Sequence, residues 1–282
     1  MQKYNISHIG TSEWFNYKQE IIFGLFHALR SLGKDVVISH NNIDPNRINI
    51  IIGADWLVQD KGFEDFISGK IKYVVFEVEA FDGSTINNRS GFNINNYRRL
   101  IENAISVITP YKYNLDTLRK IKDSNTVQYL KWGFFEEIID PNIVRDQSRH
   151  YRGVFFGLLK GARMEKARAL QGVLGGKISF LGREHPHLFR ASILSNSEYA
   201  ISLSYGANEK FVNPFRLYYL YSNGINVISD NPVDIDGYLE LSISVSHENL
   251  AEALFVQPKG EKELIQIARI NELKINIKVL EI

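Results

Sequence analysis

YRGVFFGLLKGARMEKARALQGVLGGKISFLG, from Tyr151 to Gly182, is the stretch that decides the fold. Gly153–Phe156 is a short apolar run that ends at Gly157. Met164–Leu174 has helical spacing, and Lys177–Leu181 is a second run that ends at Gly182. Strand, glycine, helix, strand, glycine is the rhythm of a βαβ unit, and such units build parallel sheets. The unit is also a restart, because the chain before it already carries one full series.

That first series opens with a strand at Lys3–Ile9, punctuated by Gly10, Thr11 and Ser12. A helix is predicted over Phe15–Leu32, with Ile21, Leu25, Phe26 and Leu29 at helical spacing and Gly33 as its stop. Strands follow at Asp35–Ser39 and Asn49–Ile52. Lys72–Val78 is a continuous apolar run, typical of a strand buried on both faces. Helices near Ile94–Ala104 and Leu115–Ile121 alternate with strands at Ser106–Thr109 and Val127–Leu130. Six strands make one doubly wound domain. Phe134–His150, with Pro141 and a polar run from Arg145, reads as a linker. Beyond the restart come a strand at Tyr199–Ser204, a helix at Pro214–Ser222, strands at Asn226–Ser229 and Ser242–Val245, and a helical Glu248–Leu254. The expected fold is α/β: two Rossmann-like doubly wound parallel-sheet domains, 1–148 and 149–282, facing a cleft where ligands bind.

Lys+Arg total 33 and Asp+Glu 32, for a net charge of +1. Such a balance offers no field to draw nucleic acid. With no cysteine, disulfides and thiol catalysis are excluded. The start lacks the apolar stretch of a signal peptide, and no window reaches the roughly 18 consecutive apolar residues of a membrane span. The expectation is therefore a cytoplasmic protein without a transmembrane segment. No GxSxG elbow, P-loop or GxGxxG element is present, which argues against a serine hydrolase, a P-loop kinase and a typical nicotinamide enzyme.

Several blocks together resemble GT-B glycosyltransferases of the group 1-like kind. They are Val154–Gly157 with Lys160 and Arg163; Phe180–Gly182; and Asn213-Pro214-Phe215-Arg216 through Tyr219 and Gly224 to Ser229. In the first half, Val74–Glu79, Tyr97, Ala104 and Thr109-Pro110-Tyr111 also look like this group. The resemblance implies transfer of a sugar from a nucleotide-sugar donor, held by the second domain, to a glycan or other acceptor on the first, in bacterial surface-glycan assembly. It implies no metal cofactor, the nucleotide sugar being a co-substrate. One position departs: where many relatives carry a glutamate for the ribose hydroxyls, this chain has Tyr219, whose single hydroxyl cannot grip two hydroxyls at once. A nucleotide-sugar epimerase, or a non-catalytic sugar- or protein-binding module, would use the same fold.

The leaving diphosphate is anionic, so helix N-termini and cations suit it. Gly157 permits close approach of the backbone, and Lys160 and Arg163 follow it. Asn213 is a plausible N-cap for the Pro214 helix, with Arg216 in its first turn. His185, in the run Arg183-Glu184-His185-Pro186-His187, resembles the His-Pro pair of transferases that use CMP-activated sugars. His185 and His187 have no third partner near them in sequence, so a metal site is rejected. Glu77 and Glu79 end an apolar strand two residues apart. A carboxylate there can deprotonate an acceptor hydroxyl, and Glu79, nearer the strand's mouth, is the candidate base. If both face inward, repulsion should raise the pKa of one. Thr11, Glu13 and Asp55 are candidate acceptor-side residues, Trp14 and Trp56 candidate stacking platforms, and His8 and Asp82 alternative bases.

Overall fold

The structure is a computed structural model that describes residues 2–69, 71–86, 93–145, 149–182, 187–204, 212–230 and 234–274. The chain divides into two units. One is Met1–Trp132 with the chain from Leu273 onward, and the other is Gly133–Glu272.

The first unit contains β1 (Lys3–His8), α1 (Ser12–Tyr17), α2 (Gln19–Ser31), β2 (Asp35–His40), β3 (Ile48–Ile52), α3 (Ala54–Leu57), α4 (Phe63–Ser68), β4 (Tyr73–Phe76), α5 (Ile94–Asn103), β5 (Ser106–Thr109), α6 (Lys112–Arg119) and β6 (Val127–Tyr129). All six strands run parallel, in the order β2-β1-β3-β4-β5-β6. The near-continuous apolar strands follow from burial on both faces: every residue of β3, β4 and β5 is buried. Ile51, Val75 and Val107 meet Tyr97, Leu100 and Leu118 in one core. The chain leaves β1 for β2 on one side and returns as β3 on the other. This reversal is a topological switch point, and it opens between the loops after β1 and β3.

The second unit contains β7 (Tyr151–Phe156), α7 (Ala162–Leu174), β8 (Ile178–Leu181), α8 (His187–Ser195), β9 (Ser197–Ser202), α9 (Pro214–Ser222), β10 (Asn226–Ser229), β11 (Ile243–Ser244), α10 (Leu250–Ala253) and α11 (Glu261–Ile270). Its five strands are also parallel, ordered β11-β10-β9-β7-β8, with the switch point between β7 and β9. Phe155, Tyr199 and Ile201 pack on Leu170 and Leu254. The fold is thus α/β, with two parallel Rossmann-like sheets, consistent with the two-domain GT-B type.

Two local findings bear on the site. The helix predicted over Phe15–Leu32 is two helices, broken at Lys18, which has φ −103° and ψ 12°. Residues 134–145, part of the Phe134–His150 stretch read from sequence as linker, are fastened within the second unit by buried polar groups. The Asp140 amide donates to Asn223 Oδ1 (2.7 Å), and the Asn223 amide donates to the carbonyls of Ile138 and Tyr219. Arg145 donates to the carbonyls of Leu194 and Ser197.

Candidate functional site

At the first switch point the chain turns through glycines. Gly53 has φ +91°, and a Cβ on it would lie 2.2 Å from the Ile9 carbonyl oxygen, so only glycine lets these two loops approach. Asn41 ties in the loop after β2: its side chain donates to the Gly10 carbonyl (2.8 Å) and accepts from the Gly10 amide (2.9 Å).

Titratable groups collect around these turns. His8, at the end of β1, is buried, stacks on His40 from β2 and meets it Nδ1 to Nδ1 at 3.2 Å. Burial, with His40 and Lys18 nearby, lowers the His8 pKa to about 4, so the ring is neutral at pH 7. Asp55 is buried in the first turn of α3. Glu77 and Glu79 lie past the end of β4, where strand alternation no longer applies, and their surroundings differ. Glu77 is buried against the Tyr97 hydroxyl of α5, and one carboxyl oxygen accepts the Glu79 amide at 2.7 Å. Glu79 is partly exposed and forms an ion pair with Lys18, at the break between α1 and α2. Burial pushes the Glu77 carboxyl up to about 8; the Tyr97 hydrogen bond and the Glu79 amide oppose this, and the charges of Asp55 and Glu79 add to it. Glu77 is therefore chiefly the neutral acid at pH 7, and Glu79 is the more accessible carboxylate.

Of the other first-unit candidates, Thr11 caps α1 by accepting from the Trp14 amide, and Glu13 is exposed in the same first turn. Trp14 is half-buried near Lys18, whereas Trp56 is 36% exposed and stands next to Gly10. Asp82 is occupied by the amides and hydroxyls of Ser84 and Thr85, which hold its pKa at about 2 despite the opposing effect of burial. A carboxylate held so far down is a poor base at pH 7.

At the second switch point, Gly157 ends β7 with φ +144° and exposed Lys160 follows it. Arg163 turns inward, donating to the carbonyls of Leu203 (2.9 Å) and Leu158 (3.1 Å) and lying over the Phe155 ring. Asn213 is the N-cap of α9, its side chain accepting from the Arg216 amide at 3.0 Å. The Arg216 guanidinium lies 4.8 Å from the Phe156 ring centre, and Arg190 from α8 lies 5.2 Å from the same ring. Tyr219 is buried with its hydroxyl donating to Asp140 (2.9 Å). Deeper in, Lys166 of α7 bonds Asp230 and Ser204, both at 2.5 Å. His185 lies outside the described residues.

The structure thus brings Asp55, Glu77 and Glu79 to one end of the first sheet, and Gly157, Asn213 and Arg216 to one end of the second. Sequence reasoning missed Lys18, His40 and Arg190. The first sits inside what scans as unbroken helix, and the other two have no motif around them. Among the described residues, no group of three His, Asp or Glu side chains is arranged to hold a metal ion, and no helix is long and apolar enough to cross a membrane.

No protein-family model and no curated protein matches the chain. Solved structures do. A Listeria monocytogenes protein assigned as a UDP-N-acetylglucosamine 2-epimerase matches with a TM-score of 0.53 at 11% identity, over 99% of this chain and 94% of its own. The Methanocaldococcus jannaschii UDP-GlcNAc 2-epimerase, solved in complex with UDP-GlcNAc and UDP, gives 0.50 at 13%, over 95% and 99%. Another UDP-N-acetylglucosamine 2-epimerase gives 0.52 at 11%, over 94% and 91%. At such identities the likeness is one of fold.

Proposed function

We propose that this chain is an enzyme acting on a nucleotide-linked sugar, and that it inverts a stereocentre of that sugar rather than transferring it, as a UDP-N-acetylhexosamine 2-epimerase. From sequence alone, the resemblance ranks transfer first and epimerisation second. The solved structures favour the reverse order, because the neighbours that span nearly the whole chain bear the epimerase name.

The observation that carries the reading is the acid–base cluster at the first switch point. Inverting a C–H centre requires a proton to be taken from one face and returned on the other. A partly exposed carboxylate (Glu79), a cation paired with it (Lys18) and a further carboxylate (Asp55) place proton acceptors and a donor at one strand end, with Glu77 buried behind them. In the second unit, Lys160, Arg216 and the α9 N-terminus offer cations and amides suited to a diphosphate. Neither role calls for a metal.

The test is incubation with UDP-GlcNAc in D2O with no acceptor, followed by NMR. A C2 isomer carrying solvent deuterium is expected. Glu79→Gln should lower turnover by about 10²–10⁴-fold with UDP still bound. Sugar movement only when an acceptor is added would make the chain a transferase. Calorimetry showing no nucleotide sugar bound would leave a non-catalytic module.

A further inference from the structure

The segment after β4 is wired at unusually many points for a surface loop. The Glu77 amide donates to the Ile108 carbonyl at 2.8 Å, extending the strand ladder by one bond. The Glu77 side chain bridges the Tyr97 hydroxyl to the Glu79 amide. From α6, buried Asn114 donates to the Glu79 carbonyl (2.8 Å) and to Thr109 Oγ1 (3.0 Å), and accepts the Phe81 amide at 3.0 Å. Two buried side chains therefore hold the backbone of residues 79–81, and the Glu79 carboxylate reaches Lys18 from that held backbone.

We infer that Glu77 is a positioning residue, bridging Tyr97 to the Glu79 backbone so that the Glu79 carboxylate is held against Lys18. This rests on the proton-transfer role proposed for Glu79, and Glu77 acts only through it. Both carboxyl oxygens are engaged: one accepts the Glu79 amide and the other accepts the Tyr97 hydroxyl. As a neutral group Glu77 adds no third negative charge beside Asp55 and Glu79, the charged groups that act on it from α3 and from its own segment. A purely apolar side chain would fill the space but leave the Glu79 amide and the Tyr97 hydroxyl unbridged.

The prediction separates shape from hydrogen bonding. Glutamine keeps a carbonyl oxygen for the Glu79 amide and a polar group that can pair with the Tyr97 oxygen, whereas methionine keeps only the volume. In the full chain, Lys18 is labelled with limiting acetic anhydride and read by mass spectrometry, with Glu79→Ala as the fully released control. Glu77→Met should raise the labelling rate several-fold towards that control, and the conservative Glu77→Gln should restore the wild-type rate. Tyr97→Phe, which keeps the ring in the core, should fall between and covers the case in which Glu77→Met does not fold. With UDP-GlcNAc, Glu77→Met should lower kcat with little change in KM. Glu77→Gln should rescue kcat and shift the alkaline limb of the pH profile. Equal labelling of the Gln and Met variants, or a Gln variant that labels like Glu79→Ala, would overturn the inference. Absence of turnover with any nucleotide sugar would instead defeat the proposed function, with the labelling result still deciding the role of Glu77.

Discussion

At the switch point of the first sheet, Asp55 and Glu79 act on a buried Glu77 and one lysine answers them; at that of the second, Arg190 and Arg216 both lie over Phe156. The same parallel-sheet rule makes both places. The difference lies in what the loops bring: proton-handling groups in one, and cations resting on aromatic faces in the other. Backbone freedom differs too. In the first, Gly53 is jammed against a carbonyl. In the second, Gly161 also has positive φ, but a Cβ there would meet nothing within 4 Å.

The backbone contrast predicts the largest effect. Gly53→Ala must both enter a left-handed conformation and displace the Ile9 carbonyl. A loss of at least ~4 kcal/mol, or failure to fold, is expected in urea titration. Gly161→Ala meets only the conformational penalty of roughly 1–3 kcal/mol. Equal losses would erase the distinction.

Next is Lys166→Met in the second unit. It leaves Asp230, fully buried at its side chain, without its cation. A cost of about 3–5 kcal/mol follows, and pairing it with Asp230→Asn should recover part of that in a double-mutant cycle.

The titration effects come third, and they run in opposite directions. Glu77 has a folded pKa raised from 4.5 to about 8, so the stability it contributes is complete below 4.5 and is lost as pH rises through 8. His8 is lowered from 6.5 to about 4, so its contribution is present above 6.5 and is lost as pH falls through 4. Glu77→Gln should therefore gain on wild type in thermal melts towards pH 8–9, by on the order of a few kcal/mol, and His8→Gln should gain towards pH 4. A parallel pH profile for wild type and variant would remove the assigned group from the balance.

The smallest effect expected is on ligand binding. Arg216→Ala should weaken UDP about tenfold by calorimetry, near 1.4 kcal/mol, and cost roughly 0.5–2 kcal/mol of folding through the lost ring contact. Unchanged UDP affinity would leave Arg216 a packing residue of the second sheet.

Much of the fold was legible because parallel strands buried on both faces are written as apolar runs. Ser106–Thr109, Pro214–Ser222 and Asn226–Ser229 were read at their observed bounds. The short α3 and α4 escaped, being four and six residues long with no amphipathic period to detect. At the site, sequence could place Glu77 and Glu79 at a strand end. It could not show that the strand stops at Phe76, which sends one carboxyl to Tyr97 and the other to Lys18. Lys18 became visible only once the predicted helix broke at that residue. Arg163 shows the converse: a cation in a phosphate-like loop whose hydrogen bonds go to its own unit's carbonyls.

The fastening of residues 134–145 bears on how such chains can be recombined. A crossover placed just before Tyr151, where composition suggests a seam, would hand the second sheet on without the groups that receive the Tyr219 hydroxyl and the Asn223 amide, and without Arg145, which closes the carbonyls of Leu194 and Ser197. Grafting the second unit between relatives would need one junction at Trp132–Gly133 and a second at Glu272–Leu273, so the module is longer than its first strand suggests.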